Sequence, residues 1–487
     1  MSATVSTPEQ RWVLALASTA SFMIALDGTV VATALSTIRR DLGAPLETLQ
    51  WTVSAYVLSF AVLLLTGAAL GDRYGRRRML VLGLGLFTAA SAACALAPGI
   101  GALIAARAVQ GAGAALVLPL AMTHLSAAFP PRQRGRALGL FSGLTGLATF
   151  SGPFVGGAVA QGLAWQWIFW INIPIGLLAM VLVRLRLDES TGPTVRFDTF
   201  GVALATGGAL GLVWALVRGN DAGWSSTEVL SALGAGAALT VGFVRWELRT
   251  AAPMLPMRFF RNRTFAAANT SSFCLTASLY GTLFFLAQYL QTALGHGPLA
   301  AGLRLMTWTG ILMLCAPVAG TLADRLGERP LLVTGMLLQA AGGAWLALAA
   351  TPSLPYDRLI APLLISGTGI SMAMPSAQKA VVGAVAQTEI GQASGAFNML
   401  RQLGAAFGIA LCAAVFTTHG SYASAPAFTN GFSAAMWATA GLALAGALAG
   451  TAVRRAPTES PAAGKPPARR EVGVGAERGA VGGGGAA

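Results

Sequence analysis

The chain has 487 residues, of which 55% are hydrophobic and only 10% charged, with a mean hydropathy of +0.66 and a formal net charge of +14. That balance excludes an ordinary soluble domain and marks an integral membrane protein. The positive charge does not point to nucleic acid, because the arginines are divided among short loops between apolar stretches and form no basic stripe interleaved with aromatics.

In chain order, hydropathy predicts fourteen spans near 12–35, 49–70, 79–97, 101–123, 137–160, 166–183, 200–217, 228–244, 265–291, 299–321, 331–350, 358–384, 391–416 and 430–452. The first is expected to stay in the mature chain, since it is too long for a signal peptide, contains Asp27 and precedes thirteen more. Residues 1–11 make an N-terminal segment, 12–183 a first six-helix half, and 184–264 two linking helices with their loops. Residues 265–452 make a second six-helix half, and 453–487 a tail rich in Gly, Ala and Pro that is expected to be disordered. The expected fold class is an all-α polytopic membrane protein, two six-helix halves plus two central extra helices.

Arginines set the orientation. The loops after spans two, four, six, eight and ten include "DRYGRRR", "PPRQRGR" and "DRLGER", whereas the opposite loops hold only Arg39, Arg40, Arg218 and Arg358, with Arg304 just inside the tenth span. Lys and Arg accumulate on the cytoplasmic side, so both termini are expected there. Two lysines among 32 basic residues, with abundant Ala and Gly, suggest a high-GC bacterial genome and hence the bacterial cytoplasmic membrane. Cys94, Cys274, Cys315 and Cys412 fall inside apolar spans without metal-ligand spacing and are read as packing residues.

One loop occurs twice. "GAALGDRYGRRRML" follows the second span and "GTLADRLGERPLL" the tenth, as an internal duplication of six-helix halves produces. In the first copy Gly75 permits a tight turn, Asp72 is placed to accept from amides at a helix N-terminus, and Arg73, Arg76 and Arg77 anchor the turn on the cytoplasmic face. A conformational latch is the favoured reading, a solvated positive turn the plain one. The second copy offers Gly320, Asp324, Arg325 and Gly327.

Two charges lie deep in the spans. With an outward first span and an inward fourth, Asp27 lies about 12 Å and Arg107 about 9 Å from the outer ends of their helices, so the two can meet at one depth. Intramembrane ionisable residues usually face one another or a cavity and mark ion pathways. Relative movement of the two helices changes both the burial of the carboxyl and its distance from the guanidinium, the quantities that set its protonation. A static pair that joins two helices, with Gln110 one turn on, is the alternative.

These segments carry a resemblance. "GDRYGRR" resembles the signature loop of the major facilitator superfamily, although Ala68 stands where the leading glycine is usual; the second copy keeps Gly320. "LIAARAVQGAGAA" resembles its fourth-helix motif through Arg107, Gln110, Gly111 and Gly113. "SGPFVGG", with Gly152, Pro153, Gly156 and Gly157, resembles its fifth-helix antiporter motif. "LDGTVVATAL", "WQWIFWINIPIG" and "GQASGAFNMLRQLGAAFGIA" are similar to the first, sixth and thirteenth helices of the fourteen-helix drug:proton antiporters, the last carrying Asn398 and Arg401. Ala32, Ser36 and Gln166 depart from those patterns.

The resemblance implies a facilitator fold and proton-coupled efflux of a small amphipathic compound by alternating access, with Asp27 and Arg107 as the coupling pair. It also implies a cavity between the first, fourth, ninth and twelfth helices, where Tyr280, Gln288, Tyr289, Met372, Met374 and Lys379 are candidate substrate contacts. Lys379 either snorkels to the cytoplasmic side or faces the cavity, and in the second case the substrate is neutral or anionic. In "SGPFVGG" the glycines permit close helix packing and the proline a bend.

The expected partners are a small-molecule substrate, protons and membrane lipid. No cofactor, metal or catalytic residue is expected. The chain contains no phosphate-binding loop, and His124, His296 and His419 are scattered helix-end residues, which speaks against ATP use and against an enzyme. A proton-coupled metabolite symporter is the nearest alternative, and a non-transport membrane protein a more distant one.

Overall fold

A computed structural model describes residues 7–191, 198–219, 222–251, 253, 255–386 and 389–454. The tail expected to be disordered lies, from residue 455 on, outside them.

The described part is all helical. Its α-helices are α1 (Pro8–Leu42), α2 (Leu46–Tyr74), α3 (Arg76–Ala95), α4 (Ile100–Ala128), α5 (Pro131–Gly162), α6 (Trp167–Trp170), α7 (Asn172–Arg186), α8 (Thr199–Arg218) and α9 (Thr227–Glu247). They continue with α10 (Arg263–Thr292), α11 (Pro298–Leu326), α12 (Glu328–Ala349), α13 (Asp357–Gly383), α14 (Ile390–His419) and α15 (Ala425–Gly450). Eleven spans among the described residues are long and apolar enough to cross a membrane, α6 and α7 together forming one of them. The number becomes twelve if α2, bent by 50° between Leu64 and Thr66, is one more.

Local sequence accounts for the ends. At the start of α1, Thr7 Oγ1 accepts from the Gln10 amide and Gln10 Oε1 from the Thr7 amide, ahead of Pro8 in the first turn. Asp198, Ser226, Asn262 and Ser424 cap α8, α9, α10 and α15 with side-chain oxygens. Several helices outrun the predicted apolar stretches; α5 begins at Pro131, inside the arginine-rich segment read as a loop. Hydropathy marks where side chains are apolar, whereas backbone hydrogen bonding continues into the interface, where charged side chains reach water. The sixth span is broken at Ile171 into α6 and α7.

The duplication is visible in the packing. In the first half α2 and α3 pack on α4, α1 on α5, and α3 on α7; in the second α11 and α12 pack on α13, α10 on α14, and α12 on α15. The halves join through α5 against α11 and, related by the same exchange, α14 against α2. α8 and α9 form a hairpin set against α2 and α14. Between α2 and α3, and between α11 and α12, the turn is one glycine, Gly75 at φ +106° and Gly327 at φ +89°, values that L side chains rarely adopt.

Candidate functional site

Four helices of the first half converge on the Asp27 carboxylate, which is 1% exposed in the middle of α1. Arg107 Nη1 of α4 donates to Oδ2 at 2.5 Å, while Gln110 Nε2 and Asn172 Nδ2 donate to Oδ1 at 2.9 and 3.1 Å. Ser91 Oγ of α3 accepts from Gln110 at 2.7 Å and from Asn172 at 3.3 Å, which closes the ring of contacts.

Arg107 has further partners. Its Nε donates to the Thr52 carbonyl at 2.9 Å, Nη1 also reaches Gln110 Oε1 at 2.7 Å, and the guanidinium carbon lies 4.2 Å from the Tyr56 ring centre. Tyr56 donates in turn to the Ile24 carbonyl of α1. The guanidinium is therefore held by α2 and α4 even without its contact to the carboxylate. An isolated ion this deep would cost several kcal/mol, and pairing with hydrogen bonds on both partners is what makes such burial possible.

Glycines bring these helices close enough. A Cβ on Gly111 would sit 2.2 Å from the Tyr56 carbonyl oxygen, and one on Gly113 2.6 Å from the Phe87 amide nitrogen, so the fourth-helix motif seats α4 against α2 and α3 with Arg107 between them. The break at Ile171 places Asn172 at the first turn of α7, aimed at the same carboxylate. Sequence reasoning had Asn172 inside a quoted motif yet missed it as a site residue, and it missed Ser91 altogether.

The fifth-helix motif is a packing device. A Cβ on Gly152 would meet Thr29 Oγ1 at 1.9 Å, one on Gly156 the Val30 carbonyl at 2.2 Å, and one on Gly157 the Pro298 carbonyl at 2.3 Å; the Pro153 carbonyl accepts from Thr33 Oγ1 at 3.1 Å. α5 thus seats on α1 of its own half and on α11 of the other. Further bonds cross here: Ser36 to Gln291, Gln291 to the Thr33 carbonyl, the Leu299 amide to Gln161, and Thr309 to the Phe150 carbonyl. Arg39 lies 3.9 Å from the Tyr422 ring centre. These bonds fall from the end opposite the chain's termini to about mid-depth.

The repeated loop differs from expectation in one respect. Asp72 caps no amide; it pairs with Arg76 at 2.8 Å, one helical turn on across Gly75. The exposed N-terminus of α3 is capped by Glu189, beyond α7, whose oxygens accept from the Arg77 and Arg78 amides at 2.9 and 3.2 Å. A Cβ on Gly75 would stand 2.8 Å from that carboxylate, a second reason for glycine there. Arg73 and Arg325 are exposed, and the surroundings of Gly320 and the side chain of Asp324 lie outside what is described.

The second-half candidates scatter. Tyr280 and Arg401 are half-buried on α10 and α14, as are Asn398, Met372 and Met374 on α14 and α13. Gln288 and Tyr289 are fully buried: Tyr289 donates to the Thr351 carbonyl at 2.6 Å and stacks on Phe432, while Gln288 accepts from Tyr422. Lys379 is exposed near the C-terminal end of α13 and pairs with Glu328 at 3.3 Å. An apolar pocket of about 690 Å³ lies between α2, α4 and α8, lined by Trp51, Leu58, Ile104, Leu210 and Trp214 among others and by none of the predicted site residues.

The Major Facilitator Superfamily model matches residues 17–409 and 268–481. The chain belongs to the major facilitator superfamily. It is 35% identical over 393 residues to the tetracenomycin C resistance and export protein of Streptomyces glaucescens, covering 80% of this chain and 72% of that one. It is 34% identical over 415 residues to the puromycin resistance protein of Streptomyces alboniger, covering 84% and 82%. With the multidrug transporter protein MdtP of Bacillus subtilis it shares 32% over 401 residues, covering 81% and 73%.

Solved structures bear out the fold. A POT family transporter in complex with a thioalcohol-conjugated peptide superposes with a TM-score of 0.69 at 16% identity, covering 89% of this chain and 94% of that one. An inward-facing bacterial homologue of the lysosomal transporter Spinster gives 0.66 at 16%, covering 92% and 98%. This facilitator chain is therefore a multi-span membrane transporter.

Proposed function

We propose that the protein exports a small amphipathic organic compound, such as an antibiotic or toxic metabolite, across the bacterial cytoplasmic membrane in exchange for protons. Both termini are cytoplasmic in this reading, and α8 and α9 complete fourteen spans. The resistance and export relatives support the direction of transport. The observation that carries proton coupling is the buried Asp27–Arg107 pair with its shared acceptors and donors.

A proton on Asp27 cancels its attraction for Arg107 without stranding the guanidinium, which keeps the Thr52 carbonyl, Gln110 and the Tyr56 face. Those contacts offset part of the cost of leaving Arg107 without its counter-ion, so α1 is freer to separate from α4, and loss of the proton draws them together again. A change of one charge is thereby converted into a change of helix contact, the differential interaction that any ligand-driven switch needs. The bonds between halves at the outer end describe the outward-closed state, in which Gly152, Gly156 and Gly157 hold α5 across the seam.

The test uses everted membrane vesicles containing the protein, energised by an imposed proton gradient without ATP and offered cationic, neutral and anionic amphipathic compounds. Gradient-driven accumulation of at least one compound, abolished by a protonophore, is expected. Accumulation that survives the protonophore, or that occurs only with ATP, would contradict the reading.

A further inference from the structure

The second half contains a deep arginine of a different kind. Arg401 lies eleven residues into α14, its carbonyl accepting from Thr276 Oγ1 of α10 at 2.7 Å. Among the described residues no carboxylate pairs with it, in contrast to Arg107. It is half-buried, so part of its surface remains open.

Tyr280 stands on α10 one turn beyond Thr276 and is likewise half-buried. α10 and α14 pack against each other here, so a phenol and an uncompensated guanidinium belong to one helix crossing. An arginine without a counter-ion in a membrane span is costly and marks a functional site by default. Guanidinium matches a carboxylate or phenolate through its planar fork, and Tyr280 adds an aromatic face for a flat apolar body.

We propose that Arg401, with Tyr280, is the anion subsite of the transport cavity, and that the exported compound has an acidic group on an aromatic or otherwise flat apolar body. The assignment rests on the exporter reading for the word exported, but not for binding. It also divides the labour: protons act on Asp27 in the first half and substrate binds mainly to the second. Export of one monoanion against entry of one proton moves two net positive charges inward per cycle, so an inside-negative potential accelerates it.

The test measures equilibrium binding of three naphthalene probes of one shape, 2-naphthoate, 2-naphthamide and 2-naphthylmethylammonium, to the full chain in nanodiscs. The parent is expected to bind the carboxylate about tenfold or more tightly than the other two, the value of one charge-assisted hydrogen-bonded contact. Arg401→Gln should erase that preference, Arg401→Lys should retain part of it, and Lys379→Gln should leave it intact. Tyr280→Phe keeps the ring but removes a hydroxyl donor, so it should weaken the carboxylate several-fold and leave the amide and the ammonium little changed, which keeps the assignment testable if the Arg401 variants misfold by melting and gel filtration.

A parent that prefers the amide or the cation, or that binds none of the three, overturns the proposal, as does a carboxylate preference that survives in Arg401→Gln. Binding needs no flux, so failure of export and failure of this subsite are read separately.

Discussion

Both halves tie their helices together with a polar cluster, but the two clusters are filled differently. In the first half α1, α3, α4 and α7 meet on a carboxylate, a guanidinium and three neutral side chains. In the second, α10, α11, α12 and α13 meet on Ser278, Trp308, Gln339 and Ser366: Gln339 donates to Ser278 at 2.9 Å, Trp308 to Ser366 at 2.9 Å, and Ser366 to Gln339 Oε1 at 2.5 Å. Tyr56 and Trp308 even stand the same sixteen residues ahead of Asp72 and Asp324. Neutral groups therefore suffice to join helices at such a crossing, and a buried ion pair is seldom more stable than a neutral substitute. Structural need alone does not call for an ion pair at Asp27 and Arg107, and the coupling proposal supplies a reason for one.

The sharpest way to break the comparison is to remove one member from each cluster. Arg107→Met leaves a buried carboxylate without its cation and should cost about 3–5 kcal/mol, read as a large fall in melting temperature of the purified protein. Gly156→Val forces side-chain atoms against the Val30 carbonyl and should cost about 1–3 kcal/mol or more, with transport falling in parallel. Ser366→Ala strips partners from Gln339 and Trp308 for about 1–3 kcal/mol, yet should leave the ratio of protons to substrate unchanged.

Smaller effects sharpen the contrast. Glu189→Gln weakens the cap on α3 by about 1 kcal/mol and should slow turnover several-fold without uncoupling it, which a rate and stoichiometry measurement separates. Lys379→Ala loses an exposed ion pair worth at most about 1 kcal/mol, and substrate charge preference should not move.

What was legible in the sequence follows from what a one-dimensional pattern contains. Asp27 and Arg107 stood out because charge is rare in apolar spans, and helical rise fixed their depth. Gln110 came with them, one turn away. Asn172 was missed because the sixth span returns to Asp27 only through a break at Ile171 that hydropathy does not register, and Ser91 because a serine among small residues has no signal. Glu189 carried no signal in the sequence, yet it performs the capping that sequence assigned to Asp72. Gln288 and Tyr289 were placed in the cavity because hydropathy gives no rotational phase to a helix that is apolar all round; the structure turns them into packing. Lys379 went the way of its flexible stem, to the helix end.

The central claim is that one proton site, Asp27, couples the cycle. It is tested most directly in proteoliposomes with an internal pH dye and an imposed proton gradient, comparing the parent with Asp27→Asn, each checked for folding. The account predicts substrate-triggered proton movement in the parent and, in the variant, a loss greater than about tenfold, or about 1.4 kcal/mol of coupling, with substrate binding retained. Equal proton movement in the two would contradict it.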